Sequence, residues 1–358
     1  MKKILINIGK KSKKAFVNKL SSKQKDKVLK DYYHLIVKNK KLIINENKKD
    51  IEVAKKNKIK NSLIQRLSLD DEKISNITNS IKEIIKLKDP TNIILEKWKR
   101  PNGLNISKIS IPIGVLGIIY ESRPNVTSDV ASLCFKSGNT VILKGGSEAF
   151  YSNQILSKLF RKSLRKNRLD KNFVQFVNLK NRRVVDFLLT RMDKFIDVII
   201  PRGGKNLVKK VQDLSTVPII GHLEGLCHSY VDKDANPQIA NKVIHNAKLR
   251  NTAICGATET ILLHEKIIKK FGCYILKNLE KNGCKIIGDS KIIKFYNGNI
   301  QKASNKDWSK EYLTSTVSVK TVKNLDEAIK HINKYGTMHT DCIITQNKKS
   351  AKKFMKEI

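Results

Sequence analysis

The sequence predicts an α/β fold built from parallel sheets and divided into two α/β domains. Strand-like runs alternate with helix-like runs along most of the chain, which is typical of parallel α/β sheets. One run, residues 113–120, is almost entirely apolar, as expected of a strand that is covered on both faces. With 358 residues, the chain is also long enough to bury two separate cores.

Residues 1–90 precede this alternation and predict an N-terminal helical layer. Apolar residues recur there at helical spacing, most clearly between residues 74 and 87. Asp89-Pro90 ends the layer, because the residue before a proline disfavours the helical conformation. Two extended runs then flank Asn102-Gly103, a dipeptide that predicts a hairpin at about 93–111.

The first α/β region follows the hairpin, and polar or glycine-rich turns follow three of its strands. Strands are expected at 113–120, 141–143, 173–177, 198–200 and 217–220, with helices at about 127–136, 150–166, 182–191 and 204–213. The three turns are 121–125, 144–148 and 201–204. Ligands of parallel sheets bind beyond the carboxyl ends of the strands, and glycine allows a phosphate to approach the following helix N-terminus. One such turn alone is ordinary turn chemistry, but three in one sheet indicate a ligand site.

A second α/β region begins near Cys227, so we divide the chain into domains at 1–226 and 227–358. Helices are expected at 236–249, 265–282, 324–334 and from 348 onward, strands at 259–263, 285–287, 316–322 and 341–345, and an irregular loop at 297–310. Cys255 lies just before one of these strands, among Ala, Gly and Thr. Small neighbours would admit a substrate carbon to a nucleophilic sulfur, although a buried structural cysteine remains the alternative.

The formal net charge of +40 has two explanations. A basic surface attracts phosphates, which would suit a nucleic-acid-binding protein. However, only 11 of the 72 basic residues are Arg, and the 61 Lys are spread along the whole chain without an aromatic–basic stacking motif. We therefore favour compositional bias and expect no nucleic-acid partner. Such a surface would still favour anionic ligands such as phosphorylated substrates and NADPH.

The six cysteines are scattered without a CxxC pair. A zinc site needs paired ligands at short spacing. The sequence pattern that most resembles such a site is Cys227-His228 with His222, which lacks that pairing. We therefore expect no metal. The apolar part of the N-terminal segment is too short for a signal peptide. No apolar run approaches the roughly 20 residues of a membrane helix. We expect a cytoplasmic protein with reduced thiols and no membrane partner.

Several runs, in order along the chain, carry a resemblance to a known family. They are 100–104, 117–127 (GIIYESRPNVT), 136–148 (KSGNTVILKGGSE), 200–204, 221–232 (GHLEGLCHSYVD), 246–248, 255–260, 326–329 and 331–336. Through them the chain resembles the gamma-glutamyl phosphate reductases (glutamate-5-semialdehyde dehydrogenases), a family of the aldehyde dehydrogenase superfamily. The resemblance implies an aldehyde-dehydrogenase-like fold with a Rossmann-like NADP-binding domain, a catalytic domain and an oligomerisation hairpin.

The resemblance also implies a reaction, the NADPH-dependent reduction of L-glutamyl 5-phosphate to L-glutamate 5-semialdehyde in proline biosynthesis. Cys255 takes the position of the nucleophile that forms a thioester. Asn125 matches the asparagine whose amide, with the Cys255 backbone N–H, holds the oxyanion. Lys144 matches a lysine that contacts the adenosine ribose. The residue three positions later is often Glu in NAD-dependent relatives, and here it is the neutral Ser147, which favours NADP.

Other positions carry less specific expectations. Gly146 and Gly203 lie in the turns that we expect to approach the cofactor, and Glu311 falls where relatives bind the nicotinamide ribose. Arg123 and Arg202 are candidates for binding the phosphate or carboxylate of the substrate, with structural ion pairs as the alternative.

One position departs from the hydrolytic relatives of the family. Their glutamate general base lies in a Glu-Leu-Gly-Gly motif, and the aligned position here is His222, in His-Leu-Glu-Gly. The lack of a base suits a reductase, because an activated water would hydrolyse the thioester. Glu224 lies two positions later and is left open as a group that reaches the site.

The family sequences continue beyond the position of Ile358, with a closing strand that pairs with the hairpin and supports a dimer. We therefore expect a homo-oligomer where that tail is present, and the alternative is a truncated remnant that is inactive or needs a complementing chain. The expected partners are the small-molecule substrate and, through functional coupling, glutamate 5-kinase. A coenzyme A-dependent acylating aldehyde dehydrogenase is a lesser alternative, against which the Glu-Ser-Arg-Pro-Asn run argues.

Overall fold

The computed structural model describes residues 1–59, 61–121, 123–181, 183–221 and 223–358. The chain forms two compact units, Met1–Gly221 and His222–Ile358. We predicted a division at 226/227 from the sequence, and the separate roles assigned to the two domains remain predictions. No helix among the described residues is long and apolar enough to cross a membrane.

The first unit begins with a layer of helices. They are α1 (Lys2–Phe16), α2 (Ser22–Lys38), α3 (Lys40–Lys56), α4 (Asn61–Leu67) and α5 (Asp71–Lys86). Helix α5 begins where the Asp70 side chain accepts a hydrogen bond from the Lys73 backbone N–H at 2.7 Å, which satisfies one of the unpaired donors of its first turn. The isoleucines of α5 that recur at helical spacing are buried, so the predicted apolar face is the packed face.

The hairpin follows this layer as a separate two-stranded antiparallel sheet, made of β1 (Ile94–Lys99) and β2 (Asn105–Ile109). Trp98 lies directly opposite Ile106 across the pair. The connection contains Gly103 with φ at +87°, a conformation that favours glycine. The predicted hairpin is therefore present, with every residue of β1 exposed.

The first sheet has four parallel strands in the order β5-β4-β3-β6. Its strands are β3 (Val115–Tyr120), β4 (Thr140–Gly145), β5 (Val174–Phe176) and β6 (Val198–Arg202), and its helices are α6 (Pro124–Lys136), α7 (Phe150–Lys166), α8 (Arg183–Arg191) and α9 (Lys205–Leu214). Strands β3 and β4 are buried along their whole length. The chain moves outward from β3 through β4 to β5 and then returns to the other side of β3 with β6.

The strand predicted at 217–220 is wrong. The structure has only an isolated bridge there, between Ile199 and Ile219. Pro218 accepts a hydrogen bond from the Ile199 N–H at 2.8 Å, but it has no N–H of its own to continue a ladder.

Two lysines in the interior of the first unit attach the helical layer to α6. Lys25 on α2 is 1% exposed, lies 2.6 Å from the Asp89 carboxylate and donates to the Lys136 carbonyl of α6 at 3.3 Å. Lys136 on α6 pairs with Asp26 and donates to the Ile85 carbonyl at 3.0 Å. Because buried charges are tolerated only when they are paired, these contacts fix the layer against the sheet region.

The second unit is built on a six-stranded parallel sheet in the order β10-β9-β11-β8-β7-β12. Its strands are β7 (Cys227–Val231), β8 (Thr258–His264), β9 (Lys285–Gly288), β10 (Ile300–Lys302), β11 (Thr316–Val322) and β12 (Asp341–Ile344). Its helices are α10 (Pro237–Leu249), α11 (Cys273–Lys281), α12 (Ser290–Phe295), α13 (Leu325–Tyr335) and α14 (Lys348–Glu357). Two apolar cores, including Val231 and Ile261 in one and Tyr230 and Leu262 in the other, show that the central strands are covered on both faces.

Two predictions in this unit need correction. The single helix predicted at 265–282 is a short 3₁₀ turn and a π-helical segment, Ile268–Gly272, followed by α11. The loop predicted at 297–310 contains β10, which pairs in parallel with β9. Three residues are too few to show a period in the sequence, so the neighbouring strand rather than local propensity defines β10.

Candidate active site

The carboxyl ends of the first sheet bring several predicted site residues to one edge. Strand β3 pairs in parallel with β4 on one side and with β6 on the other. The chain reverses its direction of travel across the sheet between β3 and β6, and such a switch point leaves a crevice that parallel sheets use for ligands. The residues that follow β3, β4 and β6 therefore line the expected side of the sheet.

The end of β4 and the turn after it hold three of the predicted cofactor residues. Lys144 is 7% exposed, and its ammonium donates to the Gly145 carbonyl at 2.6 Å. Burial lowers the pKa of this lysine, and the nearby Glu148 partly opposes the shift. Gly146 leads into a 3₁₀ turn that begins at the exposed Ser147.

The helix N-terminus beyond this turn is already occupied by an acid, contrary to our expectation of a free phosphate site. Asp50 on α3 accepts hydrogen bonds from the backbone N–H groups of Tyr151 at 3.0 Å and Ser152 at 2.8 Å, and from the Ser152 hydroxyl at 2.7 Å. Asp50 is 1% exposed, and burial raises its pKa despite these bonds. Its carboxylate therefore takes the place that an anionic ligand would have at the start of α7.

The turn after β6 is also held by a carboxylate. The Gly204 N–H donates to Glu121, which directly follows β3, at 2.9 Å. A Cβ atom at Gly203 would lie 2.5 Å from the Glu121 carboxylate and 2.8 Å from Leu207. A side chain at position 203 would therefore require the Glu121 and Leu207 side chains to move. Arg202, the last residue of β6, is exposed.

Asn125 lies in the first turn of α6, which begins earlier than the predicted residue 127. Pro124 occupies the start of this helix, where its missing N–H has no cost. The exposed Asn125 amide donates to the Asp129 carboxylate at 3.0 Å. A cavity of about 580 Å³ against α4 and α5 is lined by Arg123, Asn125 and Asp129. Gln65, Arg66, Ser68, Leu69, Lys73, Asn76, Ile77 and Ser80 complete the cavity wall.

In the second unit, Cys255 lies in a tight turn between α10 and β8 and is partly buried. The Ala257 N–H donates to the Ile254 carbonyl at 3.1 Å and closes this turn around the cysteine. A Cβ atom added at the next residue, Gly256, would have no atom within 4 Å. The chain is therefore open at Gly256, the residue that follows the cysteine, while access of a substrate to the sulfur remains a prediction.

A buried ion pair holds the two ends of the cysteine loop together. Lys248, near the end of α10, donates to Glu259, near the start of β8, at 2.7 Å. The two side chains are 0% and 1% exposed. The other Glu259 oxygen accepts from the Leu313 N–H at 3.2 Å. The position of Cys255 thus depends on a charge pair that has no access to solvent.

Glu311 is also involved in shaping the cysteine loop. Its carboxylate accepts from the Gly225 N–H at 3.0 Å. A Cβ atom at Gly225 would lie 2.1 Å from the Cys255 carbonyl oxygen, so this backbone packs directly on the loop. The Cys227 thiol, at the start of β7, donates to the same Cys255 carbonyl at 3.0 Å. The role of Glu311 in binding ribose remains a prediction beside this structural contact.

The remaining predicted positions give no further geometry for the site. His222 lies outside the described residues, and Glu224 is half-buried next to Gly225. His228 is 1% exposed, and its ring contacts the Asp341 carboxylate at 3.0 Å. Its Nδ1 atom is therefore engaged with an acid of β12.

Sequence reasoning missed the partners that hold these residues. They are Asp50, Glu121, Asp129, Gly225 and the Lys248–Glu259 pair. One signal was available. Asn125 and Asp129 are four residues apart, which places them on one helix face once α6 is known to begin at Pro124.

Comparison with known proteins identifies the family. The aldehyde dehydrogenase family model matches residues 6–286. The chain is 43% identical over 339 residues to the gamma-glutamyl phosphate reductase of Nautilia profundicola, covering 95% of this chain and 82% of that protein. It is also 43% identical over 338 residues to the enzyme of that name from Clostridium beijerinckii, covering 94% of this chain and 81% of that protein.

A solved structure agrees with these sequence relatives. The gamma-glutamyl phosphate reductase of Thermotoga maritima superposes with a TM-score of 0.95 at 37% identity, covering 99% of this chain and 86% of that one. The predicted fold and family are therefore confirmed. The chain belongs to the aldehyde dehydrogenase family and, within it, to the gamma-glutamyl phosphate reductases.

Proposed function

We propose that this chain catalyses the NADPH-dependent reduction of L-glutamyl 5-phosphate to L-glutamate 5-semialdehyde and phosphate. The observation that supports it most directly is Cys255. It lies in a loop that is open at the neighbouring Gly256, between helix and strand ends that a buried ion pair holds together. The chain also shares 43% identity with a reductase named for this substrate.

Cys255 is the proposed nucleophile. A cysteine attacks as its thiolate, so its proton must leave before the sulfur bonds to the acyl carbon. The bond between that carbon and the phosphate oxygen then breaks, and phosphate leaves with the electron pair. The product is a thioester on Cys255. When the later thiohemiacetal collapses, the aldehyde is released and the thiolate is restored.

Asn125 is the proposed side-chain donor to the oxyanion, together with the backbone N–H of Cys255. A tetrahedral oxyanion needs donors that are already in place, and the loss of one donor costs about 10²–10³ in kcat. The Asn125 side chain is exposed beside a cavity lined mainly by polar and basic side chains. Arg123 and Arg202 are proposed to bind the substrate phosphate or carboxylate.

The first unit has residues that fit a nicotinamide cofactor. Bound NADPH would supply the hydride that reduces the thioester. Gly203 and Gly204 form an exposed backbone at the switch point of the sheet, where the absence of side chains allows a ligand to approach. Lys144, Gly146 and Ser147 are the other proposed cofactor contacts in this unit, and Glu311 is a proposed contact that belongs to the second unit. Ser147 carries no charge to repel a 2′-phosphate, which supports NADPH over NADH.

The assay that tests this proposal follows NADP reduction with glutamate 5-semialdehyde as the substrate. We expect activity that requires inorganic phosphate and disappears in Cys255→Ala, while Cys273→Ala, a second partly buried cysteine, retains activity. Coenzyme A should not replace phosphate as the acyl acceptor. Activity that persists in Cys255→Ala, or that depends on coenzyme A instead of phosphate, would contradict the proposal.

A further inference from the structure

The Asn125 amide has one partner among the described residues, and that partner is an acid. Its Nδ2 atom donates to Asp129 Oδ2 at 3.0 Å, across one turn of α6. An ionised carboxylate only accepts hydrogen bonds, so the nitrogen of the amide must face it. The flipped amide would place two oxygens against each other. The contact therefore selects one orientation of the Asn125 amide and occupies only one of its two N–H groups.

Only one oxygen of the Asp129 carboxylate is hydrogen-bonded among the described residues. Its Oδ1 atom is buried and has no hydrogen-bond partner among the residues that the structure describes. Burial also raises the pKa of this carboxyl, and the Asn125 amide is the group that opposes the shift. Buried polar atoms are almost always hydrogen-bonded. A buried carboxylate oxygen without a partner therefore requires an explanation other than a contribution to the stability of the fold.

The two side chains differ in accessibility in a way that suits separate roles. Asn125 is exposed and Asp129 is half-buried, and both line the cavity, one helical turn apart on the same face of α6. A ligand in the cavity can therefore reach the exposed amide directly, while the half-buried carboxylate, whose Oδ1 atom has no access to solvent, holds the amide in place. The second N–H of Asn125 has no acceptor among the described residues and is available to a ligand.

We propose that Asp129 is a positioning residue, which orients the Asn125 carboxamide so that its second N–H donates to the oxyanion of the substrate. The inference rests on the proposed role of Asn125 in the reductase reaction. Asp129 itself need not touch the substrate, because it acts by fixing the orientation of a donor before the reaction begins.

The first experiment measures positioning without relying on activity. In protein labelled with ¹⁵N-asparagine, the side-chain amide resonances of Asn125 are identified by their absence from Asn125→Ala. We expect Asp129→Ala to shift these resonances. The control is Asp31→Ala, which removes an acid that accepts from the Asn167 amide at 2.7 Å and should shift Asn167 but not Asn125. Unchanged Asn125 resonances in Asp129→Ala would overturn the proposal.

The second experiment measures the catalytic consequence in a double-mutant cycle. Asp129→Ala should lower kcat about tenfold or more and leave KM for NADP unchanged, whereas Asp31→Ala should leave kcat unchanged. In the Asn125→Ala background, Asp129→Ala should cause no further loss, because the group that it positions is gone. Equal factors in both backgrounds would show that Asp129 acts independently of Asn125 and would overturn the proposal.

A conservative variant separates positioning from folding. Asp129→Asn preserves the side-chain volume and an acceptor oxygen, so it should retain more kcat than Asp129→Ala. If Asp129→Ala does not fold, both experiments are carried out with Asp129→Asn, for which a smaller shift and a smaller loss of kcat are expected. Asn125 resonances and kcat that are both unchanged in Asp129→Asn would then count against the proposal. A parent chain that lacks NADP reduction but shows the expected amide shift would contradict the proposed function and leave the positioning contact supported.

Discussion

Ser147 is an exposed residue at the start of a 3₁₀ turn, where a change of charge should alter cofactor choice without disturbing the core. We expect Ser147→Glu to raise KM for NADPH by about tenfold or more, because a carboxylate would repel the 2′-phosphate, and an effect of that size corresponds to about 1.4 kcal/mol. KM for NADH should fall or stay constant. Steady-state kinetics with both cofactors measures the change.

The control for Ser147→Glu is Ser290→Glu, which adds the same charge at an exposed first residue of α12. It should leave the ratio of the two KM values unchanged. If Ser147→Glu also leaves that ratio unchanged, Ser147 does not contact the cofactor ribose.

His331 predicts a pH dependence of stability in the second unit. Burial, with smaller contributions from Lys320, His228 and Lys334, lowers its pKa to about 3. In the unfolded chain a histidine titrates near pH ~6.5, so the unfolded state binds a proton that the folded state excludes. The free energy of unfolding should therefore decrease as pH falls from about 6.5 towards 3, by up to ~1.4 kcal/mol per pH unit. Above this range the contribution of His331 to stability is fully present.

Chemical denaturation at several pH values tests this expectation. His331→Phe keeps an aromatic ring beside Trp308 and Tyr335 and should flatten the acid dependence. His34→Phe, at an exposed histidine of α2, should not. Parallel pH dependences in the parent and His331→Phe would show that His331 is not the group responsible.

At the residue scale, local motifs indicated the proposed site residues but not the side chains that hold them. Cys255 and Ser147 occupy turns next to strands, and Lys144 lies near the end of β4, where small or polar residues are informative by themselves. Asp50 and Lys248 act through contacts with other elements, at separations in sequence that no local pattern reveals. Their roles follow only from the folded structure.

The cysteine loop offers a prediction at the scale of elements. Lys248→Met would leave Glu259 buried without its partner, and breaking such a pair typically costs about 3–5 kcal/mol. We expect the free energy of unfolding of the second unit to fall by this amount, and activity to be lost as well. Adding Glu259→Leu should recover most of the stability, since two apolar side chains can replace a buried pair.

Trp308, which is 7% exposed, reports unfolding of this unit by fluorescence in a Trp98→Phe background. The control is Lys291→Met, which breaks an exposed pair with Glu265 and should cost under about 1 kcal/mol. Equal losses for Lys248→Met and Lys291→Met would mean that the buried pair does not hold the loop.

The sequence predicted the strands and helices whose burial leaves a long apolar pattern. It did not predict elements whose backbone hydrogen bonds depend on a neighbouring strand. Strand β3 was predictable because it is covered on both faces and is apolar along its length. Strand β10 has three residues and depends on β9 for its existence. The segment at 217–220 appeared apolar enough for a strand, but Pro218 limits its pairing to one bridge.

At the scale of the whole molecule, the hairpin is the feature that we propose for contact between copies. Leu95, Trp98 and Ile109 are 55%, 43% and 49% exposed on a separate two-stranded sheet. Exposed strands of this kind are prone to pair with another chain. Where the tail expected from the family is present, sedimentation should show the parent above the mass of its monomer, and Trp98→Asp should shift it towards the monomer. A monomeric parent, or an unchanged mass in Trp98→Asp, would exclude this contact.

The net charge of +40 acts on the molecule as a whole. A basic surface raises the local concentration of anions, and salt screens this effect. We therefore expect kcat/KM for NADPH to fall with rising ionic strength, while kcat changes little. Activity measured across a salt series checks this, and a kcat/KM independent of salt would show that the lysines do not steer the cofactor.

The central claim is that Cys255 carries the acyl group during the reaction, and one measurement addresses it directly. The enzyme is mixed with glutamate 5-semialdehyde and NADP without phosphate, quenched rapidly in acid, digested and analysed by mass spectrometry. The proposed mechanism predicts one γ-glutamyl adduct, on the peptide that contains Cys255. NADPH formation with no adduct on that peptide, or with an adduct on another cysteine, would contradict it.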